Sequence, residues 1–307
     1  MAIEETMRRF LVGAYAAVPS ARQEQEQFYA GLAERGIADA LEIPFREDLF
    51  DPIEWQAEHF AHRFEDSVLT LIPGTMQRLG SSPTFGLGSP DPKGRQAAID
   101  HVLVAAEKVH QLNDLTGQRT ISTLHVHSAP SVTAQEDMFA QSLRELADRG
   151  LGLDLVIEHC DAYVPEYPGE KRFLNIETEI RVAQELGLKI TVNWGRSVIR
   201  SVIESRDAGR PREHVDKLVA AGVLGGVMIS GAGSEDSVYG PGWADTHLPL
   251  AETEPISWLT PERVVECVEA ARGHASYYGV KVQVPPTSSV SERLDILERT
   301  KATMGLQ

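Results

Sequence analysis

Eight short β-rich runs, each leading into a stretch of helical period, constrain this chain more than any other feature. The runs are Leu11–Ala17, Ala38–Phe45, Ser67–Thr75, Ile121–Pro130, Leu153–Ala162, Leu188–Ser197, Leu224–Gly233 and Val280–Pro286. Strict alternation of strand and helix with short αβ turns calls for a parallel sheet. Helix starts are marked by Ser20 with Gln23, Thr133 with Glu136 and Ser289 with Glu292, which read as capping boxes. Asp51-Pro52 and Thr260-Pro261 put a cap residue before a first-turn proline. Gly36, Gly150, Gly187, Gly222 and Gly279 read as helix stops. Eight such units in 307 residues fit one closed (β/α)8 TIM barrel, a single domain over residues 1–307, better than an open sheet.

Side-chain alternation supports closure. Leu41 and Ile43, Leu124 and Val126, Leu155 and Ile157, Ile190 and Val192, Val227 and Ile229, and Val280, Val282 and Val284 share one parity and should face the helices. The other parity gathers Glu42, His125, His127, Glu158, Asn193, Ser230, Lys281 and Gln283 in the lumen. So many polar groups need partners or water, which predicts a polar pocket at the C-terminal strand ends. Long loops at about 74–93 and 234–258, rich in Gly, Pro and Ser, should overhang that face. The second carries Trp243 among glycines, suited to stacking on a ligand, then Asp245 and His247.

The candidate chemistry follows from residue type. Glu158, at the end of the fifth run, can ligate a divalent ion or take a proton beside a carbonyl; its structural alternative is an ion pair with Lys281 or Arg196. His125 and His127 share a strand face and could reach one ion or simply hydrogen-bond in the lumen. Asn193 offers an amide to a ligand hydroxyl, and Arg196 offers a fork to an anionic group or to a surface carboxylate. Asp245 and His247 could serve as an acid/base pair, as metal ligands, or as a solvated loop pair.

Composition removes several classes. Twenty-nine Lys and Arg against 45 Asp and Glu give a net charge of −16, which disfavours nucleic acid and anionic membrane as partners. Cys160 and Cys267 sit in no paired motif, so neither a disulfide framework nor a zinc knuckle is expected. No run of about 20 apolar residues and no signal-peptide pattern is present, so a cytoplasmic protein is expected. Gly86-Leu87-Gly88 is too short for a dinucleotide fingerprint, and no Walker sequence or Gly-x-Ser-x-Gly elbow occurs.

Three segments carry a resemblance: Leu-Glu-Ile-Pro at 41–44, Val-Ile-Glu-His-Cys-Asp at 156–161 and Asn-Trp-Gly-Arg at 193–196. Over essentially its whole length the chain resembles the xylose isomerase-like barrels: sugar isomerases, ketose 3-epimerases, inosose dehydratases and barrel-type apurinic endonucleases. Within them it is most similar to uncharacterised bacterial barrels grouped under a domain of unknown function. The resemblance implies a metal quartet of Glu, Asp, His and Glu on strands five to eight. Here those places hold Glu158, Asn193, Ser230 and Gln283, and the strand-six histidine becomes Arg196. A divalent ion would therefore have to be dispensed with or held by a rebuilt set drawn from His127, Glu158, Asp245 and His247, with His125 as a further donor.

These observations predict an isomerase, epimerase or carbon–oxygen lyase acting on a small carbohydrate. Glu158 would be the base, His127 or Lys281 would polarise the carbonyl, and His247 would join the catalytic group. Glu42, His125, Asn193, Arg196, Ser230, Trp243, Asp245 and Gln283 would bind substrate. The alternatives are a non-catalytic sugar-binding barrel and a metal-dependent endonuclease or phosphodiesterase. A homodimer is compatible with either carbohydrate reading.

Overall fold

The computed structural model describes residues 9–47, 52–165, 169–204 and 208–306. Its strands are β1 (Arg9–Val12), β2 (Ala40–Pro44), β3 (Ser67–Thr70), β4 (Ile121–Val126), β5 (Asp154–Glu158), β6 (Lys189–Asn193), β7 (Leu224–Ile229) and β8 (Tyr277–Val280). They pair in parallel, each with its successor, and β8 closes on β1 to complete a TIM barrel. Around it run α1 (Arg22–Glu34), α2 (Ile53–Phe60), α3 (Ile72–Ser81), α4 (Pro92–Thr116), α5 (Glu136–Asp148), α6 (Ile176–Leu186), α7 (Trp194–Glu204), α8 (Arg210–Ala220), α9 (Pro261–Ala271) and α10 (Val290–Ala302). A 3-10 turn, Ala14–Ala16, follows β1. No helix among the described residues is long and apolar enough to cross a membrane.

The two parities separate in three dimensions as expected. Leu41, Ile43, Leu124, Val126, Ile157, Ile190, Val192, Val227, Ile229, Val280, Val282 and Val284 belong to the large core between sheet and helices. A separate small cluster of Leu11, Ala40, Val68, Met228 and Tyr277 fills the lumen with apolar groups. The polar lumen residues stand above it, toward the C-terminal mouth. Burial of apolar area on both faces of the sheet is what drives closure.

Local signals fare unevenly. Ser289 and Glu292 form the expected capping box, and Thr260 caps α9 before Pro261. Ser20 and Thr133 cap nothing, because the helices begin later, with Ala21 and Gln135 at the cap positions. A backbone bond from Gln135 N–H to the Gly88 carbonyl ties the chain at the start of α5, so a tertiary contact overrides the local motif. Asp51 lies outside the described residues. Gly279 stops no helix. It sits inside β8, where an added Cβ would come within 2.6 Å of the Leu11 carbonyl and Met228 Sδ.

The third run is shorter than expected: β3 ends at Thr70 and α3 begins at Ile72, with a proline in its first turn. The segment 74–93 is therefore not an open loop but the rest of α3, a short connection and the start of α4. Asp91 caps α4 by accepting from Lys93 N–H and Gly94 N–H. The segment 234–258 carries no helix and folds back on the strand end. Gly231 bridges Leu248, Gly233 bridges Ser257, and Trp243 N–H donates to the Gly233 carbonyl at 2.7 Å.

Candidate active site

Strand register brings the lumen residues together at one level. Glu42 on β2, Thr70 on β3, His127 just past β4, Glu158 on β5 and Lys281 just past β8 point inward and are buried. Glu158 is 1% exposed and Lys281 0%. Thr70 Oγ1 donates to Glu158 Oε2 at 2.6 Å, and His127 Nε2 meets the same oxygen at 2.8 Å. The Arg196 guanidinium donates to Glu158 Oε1, and Lys281 Nζ lies 3.5 Å from that oxygen. Lys281 Nζ also donates to Glu42 Oε1 at 2.7 Å, and the Tyr15 hydroxyl donates to it at 3.1 Å.

The strand-six turn explains Arg196. Asn193 Oδ1 accepts from Gly195 N–H at 2.9 Å and from Arg196 N–H at 3.3 Å, which starts α7 directly at the strand end. Gly195 lets that turn press on β7, since a Cβ there would lie 2.9 Å from Ser230 Oγ. The guanidinium is thereby aimed into the lumen rather than out to solvent. Its Nε donates to Asp245 Oδ2 at 2.9 Å, and Lys171 Nζ donates to the same oxygen at 3.0 Å. His247 Nδ1 stands 3.0 Å from Asp245 Oδ1, close but without the alignment of a hydrogen bond. Tyr15 lies between the two groups, its ring edge-on to His247 at 6.4 Å and over Lys281 Nζ at 5.8 Å.

Three carboxylates, Glu42, Glu158 and Asp245, thus face three cations, Lys171, Arg196 and Lys281. Burial pushes Glu158 toward protonation, but Arg196, Lys281 and the His127 hydrogen bond outweigh it and hold Glu158 well below the usual carboxylate range. Burial acts the same way on Asp245 and is overcome by His247, Lys171 and Arg196. Tyr15 is raised by burial and then by Glu42 and Glu158, so it stays a neutral phenol. Burial lowers His125 and His127, which stay neutral. Because ionised Glu158 can only accept, the His127 proton sits on Nε2, which leaves Nδ1 a bare lone pair without a partner.

A carboxylate with both oxygens engaged and its acidity increased accepts a proton poorly, so the general-base role expected for Glu158 does not suit its surroundings. The expected substrate-binding set is also divided. Asn193 Oδ1 is occupied by Ser230 Oγ at 2.6 Å and by the α7 backbone. Gln283 donates to the Thr246 carbonyl at 2.7 Å and to the Tyr239 carbonyl at 3.3 Å, so it fastens the 234–258 segment. Trp243 packs edge-on against Trp258 at 4.7 Å. His125 Nε2 pairs with the Tyr277 hydroxyl at 2.8 Å. His159 faces outward to Glu179 at 2.6 Å, and Asp161 accepts three backbone N–H groups of 170–172, which sets the turn that carries Lys171. Both cysteines are free and buried, and burial pushes the Cys267 thiol up to about 12.

The residues at the quartet positions do not fit a divalent ion. Glu158 is wrapped by Arg196, Asn193 and Ser230 bond each other, and Gln283 holds a loop. The four-residue set His127, Glu158, Asp245 and His247 does not converge on a point either. Among the described residues the acidic and imidazole groups that do converge are Glu42, His125 and Glu158. Lys281 already bonds Glu42 and lies beside Glu158, so an ion there would face an ammonium at close range.

Sequence reasoning missed Tyr15, Thr70 and Lys171. Thr70 was within reach, since it shares the parity of Val68 in the third run. Tyr15 follows the strand in a 3-10 turn and Lys171 sits on a loop, so neither has a periodic signal.

The histidines give a pH prediction. A group whose folded pKa is depressed stabilises the fold above its ordinary pKa, and that stability is lost as pH falls toward the folded value. His125 and His127 lie below their ordinary 6.5, and His101, lowered by burial and then by Arg78, stands at about 4. Tm should be level above about pH 7 and fall steadily below about pH 6.5, with Glu158 and Asp245 steepening the loss below about pH 4.5. A flat Tm between about pH 7 and 5 in thermal denaturation would contradict neutral buried histidines.

Residues 11–296 match the family described as a domain of unknown function, DUF4862. An uncharacterized protein of Salmonella typhimurium (strain LT2) is 32% identical over 301 residues, with 94% of each chain covered. A putative xylose isomerase from Rhodospirillum rubrum superposes with a TM-score of 0.61 at 12% identity, covering 97% of this chain and 98% of that one. A D-tagatose 3-epimerase-like protein gives 0.60 at 15% identity, with 97% and 98% covered. Endonuclease IV from Thermus thermophilus gives 0.55 at 13% identity, with 96% and 99% covered. At these identities the likeness is one of fold.

Proposed function

The chain belongs to the DUF4862 family of domains of unknown function, and on that footing we propose that it is an enzyme acting on a small carbohydrate. Its reaction is an isomerisation, epimerisation or carbon–oxygen elimination that begins by removing a proton from the carbon beside a carbonyl. The observation that carries this reading is the pairing of a mouth histidine, His247 beside Asp245, with two buried cations, Lys281 and Arg196. A base and an electrophilic charge are what enolate chemistry needs, and both groups flank the Tyr15 ring, His247 at 6.4 Å and Lys281 Nζ at 5.8 Å.

The roles follow from the surroundings. His247, 13% exposed, takes and returns the proton, with the Asp245 carboxylate 3.0 Å from its Nδ1. Arg196 and Lys281 stabilise the developing oxyanion, and Glu158 holds both cations in place. The Tyr15 phenol stays protonated and can donate to a sugar oxygen. Substrate enters when the 234–258 segment lifts, a gating step common in barrel enzymes.

Backbone strain on that segment supports the assignment. Trp243 and His247 both adopt left-handed φ, at 58° and 51°, a conformation that costs a non-glycine residue about 1 kcal/mol or more and gathers at functional sites. The fold likeness to an epimerase-like protein and a putative xylose isomerase is in keeping with the substrate class.

The test is proton NMR of a panel of ketoses and aldoses incubated with the protein in deuterated water. Loss of the signal from the carbon-bound proton beside the carbonyl is expected for at least one sugar. A sugar-dependent rise in Tm with no exchange across the panel would overturn catalysis and identify a sugar-binding barrel.

A further inference from the structure

Lys281 has features that an ion-pair partner does not require. Its stem crosses the backbone of Gly13 so closely that a Cβ there would lie 2.8 Å from both Lys281 Cβ and Cγ. Gly13 has an ordinary φ of −72°, so the glycine supplies space for the lysine and not a special backbone. The amine ends in the barrel lumen, with Glu42 Oε1 at 2.7 Å and the Tyr15 hydroxyl on that same oxygen. Glu42 Oε2 is buried and has no hydrogen-bond partner. A cavity of about 240 Å³ adjoins Tyr15 and Glu42 between α1, α2 and β2, and gives the Tyr15 ring room to move aside.

We propose that Lys281 is a covalent catalytic residue that forms an imine with the carbonyl carbon of an α-hydroxy aldehyde or ketone. The proposal rests on the proton-abstraction reading above and replaces one role in it: the positive charge that Lys281 brings to the carbonyl carbon is that of an iminium and not of a free ammonium. Lys281 is fully buried, and Glu42, 2.7 Å from its amine, is placed to take its proton and free the lone pair.

The steps balance within the site. Lys281 passes a proton to Glu42, and the free amine lone pair attacks the carbonyl carbon. The carbon–nitrogen bond forms as the carbonyl π pair moves to oxygen, which takes the proton that the new ammonium nitrogen gives up, leaving a neutral carbinolamine. Glu42 returns its proton to that hydroxyl, water leaves, and an iminium remains. His247 removes the proton from the neighbouring carbon, and the electron pair flows into the iminium to give an enamine. Reprotonation of that same carbon from its other face restores the iminium, and addition of one water releases the epimerised sugar and restores the lysine. The iminium acts as the electron sink, so no oxidant, reductant or further co-reactant is required.

Reductive trapping tests this. The whole protein is incubated with dihydroxyacetone and sodium borohydride, digested, and mapped by mass spectrometry. The same preparation is assayed for solvent deuterium exchange on the sugar panel. The expected result is one reduced adduct on the peptide containing Lys281, formed faster than adducts on surface lysines. Lys281→Arg keeps the charge opposite Glu42 but cannot form an imine. It should fold, as read by circular dichroism, and lose both that adduct and at least 100-fold of the exchange. Exchange by wild type with no adduct at Lys281, and exchange retained in Lys281→Arg, overturns the imine while leaving the proton-abstraction reading in place. Trapping at Lys281 without exchange on any sugar shows a reactive amine with no catalysis and overturns both the catalytic lysine and that reading. Neither trapping nor exchange overturns both.

Discussion

Glu158→Gln is expected to destabilise the fold by about 3–5 kcal/mol. The carboxylate accepts from Thr70 and His127 on one oxygen and faces Arg196 and Lys281 on the other. An amide of the same shape must turn an N–H toward one of these sides, and it leaves the buried cations in excess of the carboxylates. Uncompensated buried charge is the costly outcome, more than the loss of any single hydrogen bond. Thermal denaturation should register a fall of roughly 5–10 °C in Tm. The exposed pair Arg144 and Glu185 is the control, because both partners are about half exposed. Glu185→Gln should shift stability by no more than about 1 kcal/mol. If Glu158→Gln melts with the wild type, the charge network does not hold the mouth of the barrel together.

His247→Asn is expected to lower the exchange rate by about 10²- to 10⁴-fold, the usual contribution of a general base. Asparagine tolerates the left-handed backbone found at this position and keeps a polar group near Asp245, but its amide cannot take up a proton at neutral pH. Tm should fall only modestly, since Lys171 and Arg196 still offset the buried Asp245 charge, while exchange collapses. A structural histidine would do the reverse, losing stability and leaving exchange by the folded fraction intact. KM should move less than kcat, because the asparagine still fills the space.

The barrel was legible because its evidence is repeated. Eight runs, alternating parity and glycine stops such as Gly187 all report the same closed sheet, so a missed cap at Ser20 or a misplaced stop at Gly279 changes nothing. The lumen roster was legible for the same reason: Glu42, His127, Glu158 and Lys281 follow from period two alone. What sequence could not supply was which groups neutralise which. Arg196 reads equally well as a surface residue until Asn193 and Gly195 are seen to start α7 at the strand end and aim it inward. Glu158 reads as a base until Thr70, His127, Arg196 and Lys281 are counted around it, and they come from four separate elements. Lys171 reaches Asp245 only because Asp161 gathers the backbone of residues 170–172. These are contacts between distant segments, and composition and spacing carry no trace of them.

In the mechanism we propose, arginine and lysine supply the positive charge at the reacting carbonyl. The most direct measurement is the rate of solvent deuterium exchange into a responsive sugar, before and after the same preparation is dialysed against EDTA, with elemental analysis of both samples. An unchanged rate and no stoichiometric divalent ion in either sample are the predicted results. Exchange that disappears on dialysis and returns with an added divalent ion would contradict the claim.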